Sequence, residues 1–473
     1  MRDGCSEANG GSPATVLRCS SSAGCCPGSR VPVYLAAGFL RLPWRWFLGI
    51  TAATSLGWTV LVLQLAAPLG TRVAGALAGF EPAGWVALLG LGLTLGWLRV
   101  PRWDGRPTLR VRLAAVWGRW RHWEFWPPWL FYAPVAFYGV CLALKHRGLT
   151  VPTLANPGIF SGGLIGESKM ATLRELMATS PEFTADAELL PDGTVEERLA
   201  ALRQVCRRRG IRYPFVFKPD VGQRGAGVKL VRNEDQVLAY LRQTRAPLLV
   251  QRYAPGPGEA GVFYYRFPGQ PHGRIFAITE KVFPVLLGDG HSTIAELVWQ
   301  DPRARCLADT YLRRFRARQD EVLSAGEPLK LVEAGNHAQG CIFRDGMHLG
   351  SPALAARLDA ISRQLRGFYI GRYDVRYRSA DELRSGAHFQ IIELNGAASE
   401  TTSIYDRRQS LRGAYRTLFR QWRLVFAIGA ANRARGCVPT PLGTLWKRWR
   451  EYAACVTTYP RQIDRPMEGP CVP

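Results

Sequence analysis

The chain has little lysine, few acids for its many bases, and no cysteine pair at metal-binding or redox spacing. Of 61 basic residues, set against 37 acidic ones, only seven are lysine, at 145, 169, 218, 229, 281, 330 and 447. A chain that uses arginine by habit yet keeps lysine at a few interior positions marks those positions for point charges that rotate and adapt. The 11 cysteines are odd in number. Cys5, Cys19, Cys25 and Cys26 crowd the start, and the others show no C-x-x-C spacing, which excludes a disulfide framework and points to a reduced compartment. No zinc-finger, RNP or helix-turn-helix pattern accompanies the net charge of +24. The excess of bases therefore indicates an anionic membrane surface or acidic ligands, and no nucleic acid.

What is present divides the 473 residues into five stretches. Residues 1–40 read as a disordered N-terminal tail, the first thirty rich in Ser, Gly and Cys. The apolar segment begins too late for a signal peptide, and a true start near Val31 or Val33 is the expectation. Residues 41–100 read as a transmembrane helical hairpin. Phe47 to Gly70 carries no charge, enough to span ~30 Å of hydrocarbon at ~1.5 Å per residue. Pro82 to Leu98 is a second uncharged run, and Trp44, Trp46 and Trp97 lie at the run ends as interfacial aromatics do. Arginines cluster outside both runs (Arg30, Arg41, Arg45; Arg99 onward), which places both ends on the cytoplasmic side of the inner membrane. A buried helical hairpin would share this pattern. Residues 101–150 form a basic and aromatic juxtamembrane segment, with Trp123 to Leu144 expected at the interface or re-entrant, or packed on the soluble domain. Residues 151–410 read as the soluble domain. Residues 411–473 read as a basic amphipathic tail, with Arg412, Arg416, Arg420 and Arg423 at helical spacing, suited to lipid or to capping the domain.

Within the soluble domain, Phe215 to Phe217 and Val228 to Val231 read as strands around a loop holding Gly222, Gly225 and Gly227. Such a loop can lay backbone N–H groups against phosphate oxygens, with Lys218 adding a charge. A plain Gly-rich hairpin has the same pattern. Gly371 to Tyr377 and Phe389 to Gly396 read as paired strands joined by a polar Ser-Gly turn, Ser379 to Ala387. Alternation puts Glu393 and Asn395 on one face, where Asp374 can meet them. Two carboxylates and an amide oxygen suit Mg²⁺ or Mn²⁺. Helices are expected from Ser168 through Met177, over 195–209, 233–242, 301–323 and 352–368, and strands over 247–253, 261–267 and 274–282.

Lys218-Pro219, the Gly-rich loop, the acid strand and the Glu-x-Asn strand, in this order, resemble the ATP-grasp superfamily, above all the D-alanine–D-alanine ligases. Gly288 to Leu297 (Gly-Asp-Gly-His-Ser-Thr-Ile-Ala-Glu-Leu) is similar to a segment of cyanophycin synthetase. The resemblance covers residues 166–406. It implies an α+β ATP-grasp fold behind transmembrane helices, and an ATP-dependent carboxylate–amine ligase acting on small-molecule or peptide substrates. It assigns Lys169, Lys218 and Lys281 to phosphates and Gln251, Arg252 and Tyr253 to adenine. Glu259 falls to the ribose, Arg372 to the transferred phosphoryl group, and Asp374, Glu393 and Asn395 to the metal. The family often has Glu where Gln251 stands. Asn336 and His337, in the polar loop 333–340, lie near where those ligases bind acceptor. A nucleotide-binding sensor without catalysis and an ATP-grasp kinase are the alternative readings.

Overall fold

The computed structural model describes residues 107–222, 225–254, 256–332, 335–456 and Tyr459. All belong to the second of two compact units, Arg102–Pro473. The expected tail 1–40, the hairpin 41–100 and residues 101–106 lie outside the described residues, as do Glu333 and Ala334 of the polar loop. Among the described residues no helix is long and apolar enough to cross a membrane.

The described chain opens with α1 (Leu109–Arg121), a 3-10 turn at Trp123–Phe125, α2 (Pro128–Phe131) and α3 (Ala133–Lys145). There follow α4 (Lys169–Thr179), β1 (Ala187–Leu190), α5 (Val195–Arg209), β2 (Phe215–Pro219), β3 (Lys229–Val231), α6 (Glu234–Leu241) and β4 (Leu248–Arg252). Next come β5 (Gly258–Tyr265), β6 (Arg274–Val282), β7 (Val285–Leu287), α7 (Ile294–Gln300), α8 (Ala308–Arg314), β8 (Pro328–Lys330) and β9 (Ile342–Asp345). The chain finishes with α9 (Pro352–Gln364), β10 (Ile370–Tyr377), α10 (Ala380–Ser385), β11 (Gln390–Asn395), α11 (Leu411–Ala434) and α12 (Leu442–Val456). The class is α+β, with antiparallel pairing within each sheet: a small sheet of order β1-β4-β2-β3, a large one of order β11-β10-β5-β6-β9, and the hairpin β7-β8.

Strand alternation decides what each face of the large sheet does. Tyr373, Val375 and Tyr377 of β10 join Ala260, Val262 and Tyr264 of β5 in a core under α4 and α9. Arg372, Asp374 and Arg376 therefore point to the other face, where α11 covers only the far end through Val425 and Ile428 against Phe263 and Ile370. The remaining end is open to the small sheet, whose own core is Phe215, Phe217, Leu248 and Val250 against α5 and α6.

Two expectations are corrected. Residues 301–323 are not one helix: α8 stops at Arg314, because the carbonyls of Gln319 and Glu321 turn away to accept from Ala295 and Ile294 at the start of α7. The turn expected over 379–387 contains α10, whose N-cap Ser379 accepts from Glu382 N at 3.2 Å. Of the two readings of the stretch from Leu411, lipid or a cap on the domain, its start takes the second: α11 buries Leu418, Val425, Phe426 and Ile428. Residues 123–144 likewise pack on the domain, with Trp123 Nε1 donating to Ile404 O at 2.9 Å and Tyr415 Oη of α11 donating to Phe131 O at 3.0 Å.

Candidate active site

Register along β10 and β11 builds the centre of the site. Asp374 lies opposite Glu393 and Arg372 opposite Asn395, so all four share the open face. On the other side Asp374 lies opposite Gly261 of β5. A Cβ at Gly261 would come within 2.9 Å of Arg372 Cδ and 3.2 Å of Asp374 Oδ1, so only glycine leaves room for the pair. Arg372 holds Asp374 with two parallel hydrogen bonds, Nε to Oδ1 at 3.0 Å and Nη2 to Oδ2 at 3.1 Å, the fork geometry of a strong charged pair. Its third donor reaches Glu400 O at 2.9 Å. Asn395 Nδ2 lies 3.4 Å from Asp374 Oδ2.

Lys281 of β6 lies opposite Glu259 and completes the cluster, 2.8 Å from Glu259 Oε1 and 3.3 Å from Asp374 Oδ1. Burial by itself would push the Asp374 carboxyl up; Arg372 and Lys281 outweigh it and hold it at about 2. Burial likewise works against the Lys281 charge, and Asp374 with Glu259 raise its pKa nonetheless. Lys218 is the reverse case. It is 6% exposed, and burial wins over the nearby Glu393 and Glu259, lowering its pKa.

A β-bulge joins the two sheets. Register slips between Asp374 and Val375, whose partners are Glu393 and Ile391, leaving Ile392 outside the ladder. The freed Ile392 carbonyl accepts from Lys218 Nζ at 3.2 Å and from Gln251 Nε2 at 3.1 Å, both reaching over from the small sheet. Gln251 stands where the resembled ligases often have Glu, and this contact gives its amide a role that a carboxylate could not fill.

The other expected residues are gathered around the same cleft. Lys169, the first residue of α4, donates to Gly222 O at 2.5 Å and lies 3.7 Å from Glu393. Gly225 and Gly227 take φ of +68° and +69°, the left-handed region open to glycine. Gln251 to Tyr253 line the cleft at the end of β4. Arg376 stacks over the Tyr253 ring at 4.5 Å and donates to Gly256 O at 2.8 Å. Glu259 lines the cleft, ion-paired with Lys281. Asn336 lies against Gly225, and His337 bonds Glu124 at 3.0 Å and stacks on Tyr405.

Three groups were not anticipated. Arg376 ties β10 to the exit of β4. Glu167 lines the cleft beside Lys169, its Oε2 accepting from Gly396 N at 3.1 Å and its Oε1 buried with no hydrogen-bond partner. Glu124 binds Arg303, His337 and Arg407 from an element that sequence reading kept apart from the domain. Its carboxyl, which burial would raise, is held at about 2 by the His337 hydrogen bond and the two arginines.

The donor set fits a magnesium ion in one specific way. Asp374 and Glu393 oxygens with the Asn395 amide are hard ligands on one face. Among the described residues no group of three His, Cys, Asp or Glu could hold a metal alone. The ion would therefore need phosphate oxygens to complete its shell, as Mg²⁺ usually does.

Among curated proteins, a cyanophycin synthetase of Trichormus variabilis is 33% identical over 132 residues, and one of Nostoc sp. is 32% identical over the same length. Over that stretch the chain is similar to cyanophycin synthetases. The matched stretch is 26% of this chain and spans only 14% of the length of each of those proteins. No protein-family model matches the chain. Solved structures similar to it include a bifunctional glutathione synthetase from Pasteurella multocida (TM-score 0.31, 15% identity, 53% of this chain and 36% of that one). A D-alanine–D-alanine ligase from Bacillus anthracis is another (TM-score 0.30, 14% identity, 59% and 71%). The ordered motifs fall into one cleft: the small sheet supplies Lys218 and the Gly-rich loop, and the large sheet supplies the carboxylates, Arg372 and Lys281.

Proposed function

We propose that the chain is a membrane-anchored, Mg²⁺-dependent carboxylate–amine ligase that proceeds through an acyl phosphate. The observation that carries this reading is the in-register pair Asp374 and Glu393, with Asn395, facing Lys218, Lys281 and Arg372. Phosphoryl transfer asks mainly for positioning and charge neutralisation, and this set supplies both. Lys169, Lys218, Lys281 and the loop 222–227 hold phosphates, the end of β4 meets adenine, and Glu259 meets ribose. A bound metal would neutralise the phosphate oxygens. A carboxylate oxygen of the first substrate attacks the γ-phosphorus and ADP leaves. The amine of the second then attacks the acyl carbon, phosphate leaves, and the amine gives up a proton. Arg372, freed from Asp374, faces the transferred group.

The test uses the full chain in detergent. Mg²⁺-dependent ATP binding is expected for the wild type and at least about tenfold weaker, ~1.4 kcal/mol, for Glu393→Ala with Asn395→Ala. No binding by a folded wild type overturns the nucleotide site. Hydroxylamine trapping separates an acyl phosphate, which yields a hydroxamate, from phosphorylation of a hydroxyl, which does not, and amide formation with an added amine then separates a ligase from a kinase that stops at the acyl phosphate. The anchor rests on 47–70 and 82–98, and the basic flanks put the catalytic domain on the cytoplasmic side. Release of the chain from membranes by carbonate would remove that part of the reading.

A further inference from the structure

The cleft has a volume of about 2660 Å³, well above the ~300–1,000 Å³ usual for a small-ligand site. At the end away from the Gly-rich loop the lining is largely apolar. Trp126, Phe131, Val135 and Gly139 line it from α2, α3 and the turn before them, and Leu418 and Trp422 from α11. A Cβ at Gly139 would meet nothing within 4 Å, so the wall there is open space and no neighbouring group demands the glycine. Between this end and Arg372 stand Glu400 and two tyrosines: Tyr132 Oη donates to the Glu400 carboxylate at 2.7 Å, and Tyr405 Oη donates at 3.2 Å. One turn of α3 away, the helix shows solvent an apolar stripe at i, i+3 and i+7, Phe137, Val140 and Leu144, exposed 72, 51 and 75%.

We propose that the α3–α11 end of the cleft holds the long aliphatic tail of one substrate, whose carboxylate or amine head lies at the polar junction beside Arg372. The substrate class is an amphiphile, which would partition in the bilayer before entering along α3. The proposal rests on the ligase reading. It adds a feature that phosphoryl transfer does not need, because the apolar wall touches none of the phosphate or metal residues.

The experiment uses the full chain in phosphatidylcholine vesicles, with hexadecanoic acid and hexadecylamine each carrying a photoreactive diazirine in the chain. Labelling is mapped residue by residue. Label on Val135, Leu418 and Trp422 is expected to saturate and to be competed by unlabelled amphiphile, whereas label on Leu144 rises in proportion to probe, as for simple bilayer contact. Gly139→Trp, and independently Ala136→Trp on the same side of α3, are expected to cut the saturable label about tenfold and leave Mg-ATP binding within about twofold of wild type. Label confined to the outward stripe, or unchanged in both variants, overturns the proposal. Retained Mg-ATP binding in that case leaves the ligase reading standing, while its loss from the wild type is a failure of the ligase reading itself.

Discussion

Glu167 stands one residue from the cap of α4 with a carboxylate oxygen that finds no partner. Burial pushes its carboxyl up to about 7, only partly opposed by the Gly396 N–H and Lys169. The folded protein thus holds this proton where the unfolded chain, with an ordinary value of 4.5, has lost it. Stability must fall as pH rises from 4.5 to about 7 and level off above, since the unfolded state binds fewer protons over that window. Glu167→Gln keeps the shape and removes the titration. Urea midpoints of nucleotide-free protein at pH 5 and pH 8 should then differ less in the variant than in the wild type; equal differences would mean an ordinary carboxyl. Gln251 gives a second test at this scale. Gln251→Glu removes the side-chain donor of the Ala185 carbonyl, leaves the Ile392 carbonyl to Lys218 alone, and should cost roughly 1–3 kcal/mol in urea unfolding.

Among the elements, β10 depends on a residue outside it. Asn156 is fully buried, its Nδ2 donating to Gly162 O and Ile370 O and its Oδ1 accepting from the Tyr369 and Ile370 N–H groups at 2.8–3.0 Å. Asn156→Ala strips three hydrogen bonds from the start of the strand that carries Arg372 and Asp374, and a fourth from Gly162 O. A loss of about 3 kcal/mol is expected, with ATP affinity reduced in parallel. A change below about 0.5 kcal/mol would show that water replaces the amide. In sequence this residue reads as turn chemistry, because Asn-Pro-Gly gives the same letters whether the side chain faces solvent or the core. The strands were legible where β-branched and aromatic runs ended at Gly or Pro, as at Phe215 and Ile391. α5 was legible over its full span through apolar spacing between Thr194 and Gly210. Ser379 and Glu382 carried a capping signal that the polar composition around them masked. The burial of α11 was not legible, since a helix that covers a core and a helix that rests on lipid ask for the same amphipathic pattern.

For the molecule as a whole, the convergence of Asp374, Glu393, Asn395, Lys218 and Lys281 on one cleft was legible because they lie in short motifs on alternating strands. The apolar end of the cleft was not, because it joins residues near 130 to residues near 420, and neither half has a motif. The same long-range assembly fixes the charge state of the site. Each carboxylate proposed for the metal already has a cation beside it: Arg372 and Lys281 on Asp374, Lys169 on Glu393. Mn²⁺ added alone should therefore bind weakly, and Mn²⁺ with a non-hydrolysable ATP analogue tightly, as electron paramagnetic resonance titration would show. Tight binding of the bare ion would mean that the internal cations yield easily. The consequence is an order of arrival. On the proposed reading, the protein's own lysines and arginine would be lodgers in the seats of the metal until phosphate offered them another place. Ion and nucleotide would then land as one particle, and a cell rich in free magnesium but poor in ATP would leave this centre locked on itself.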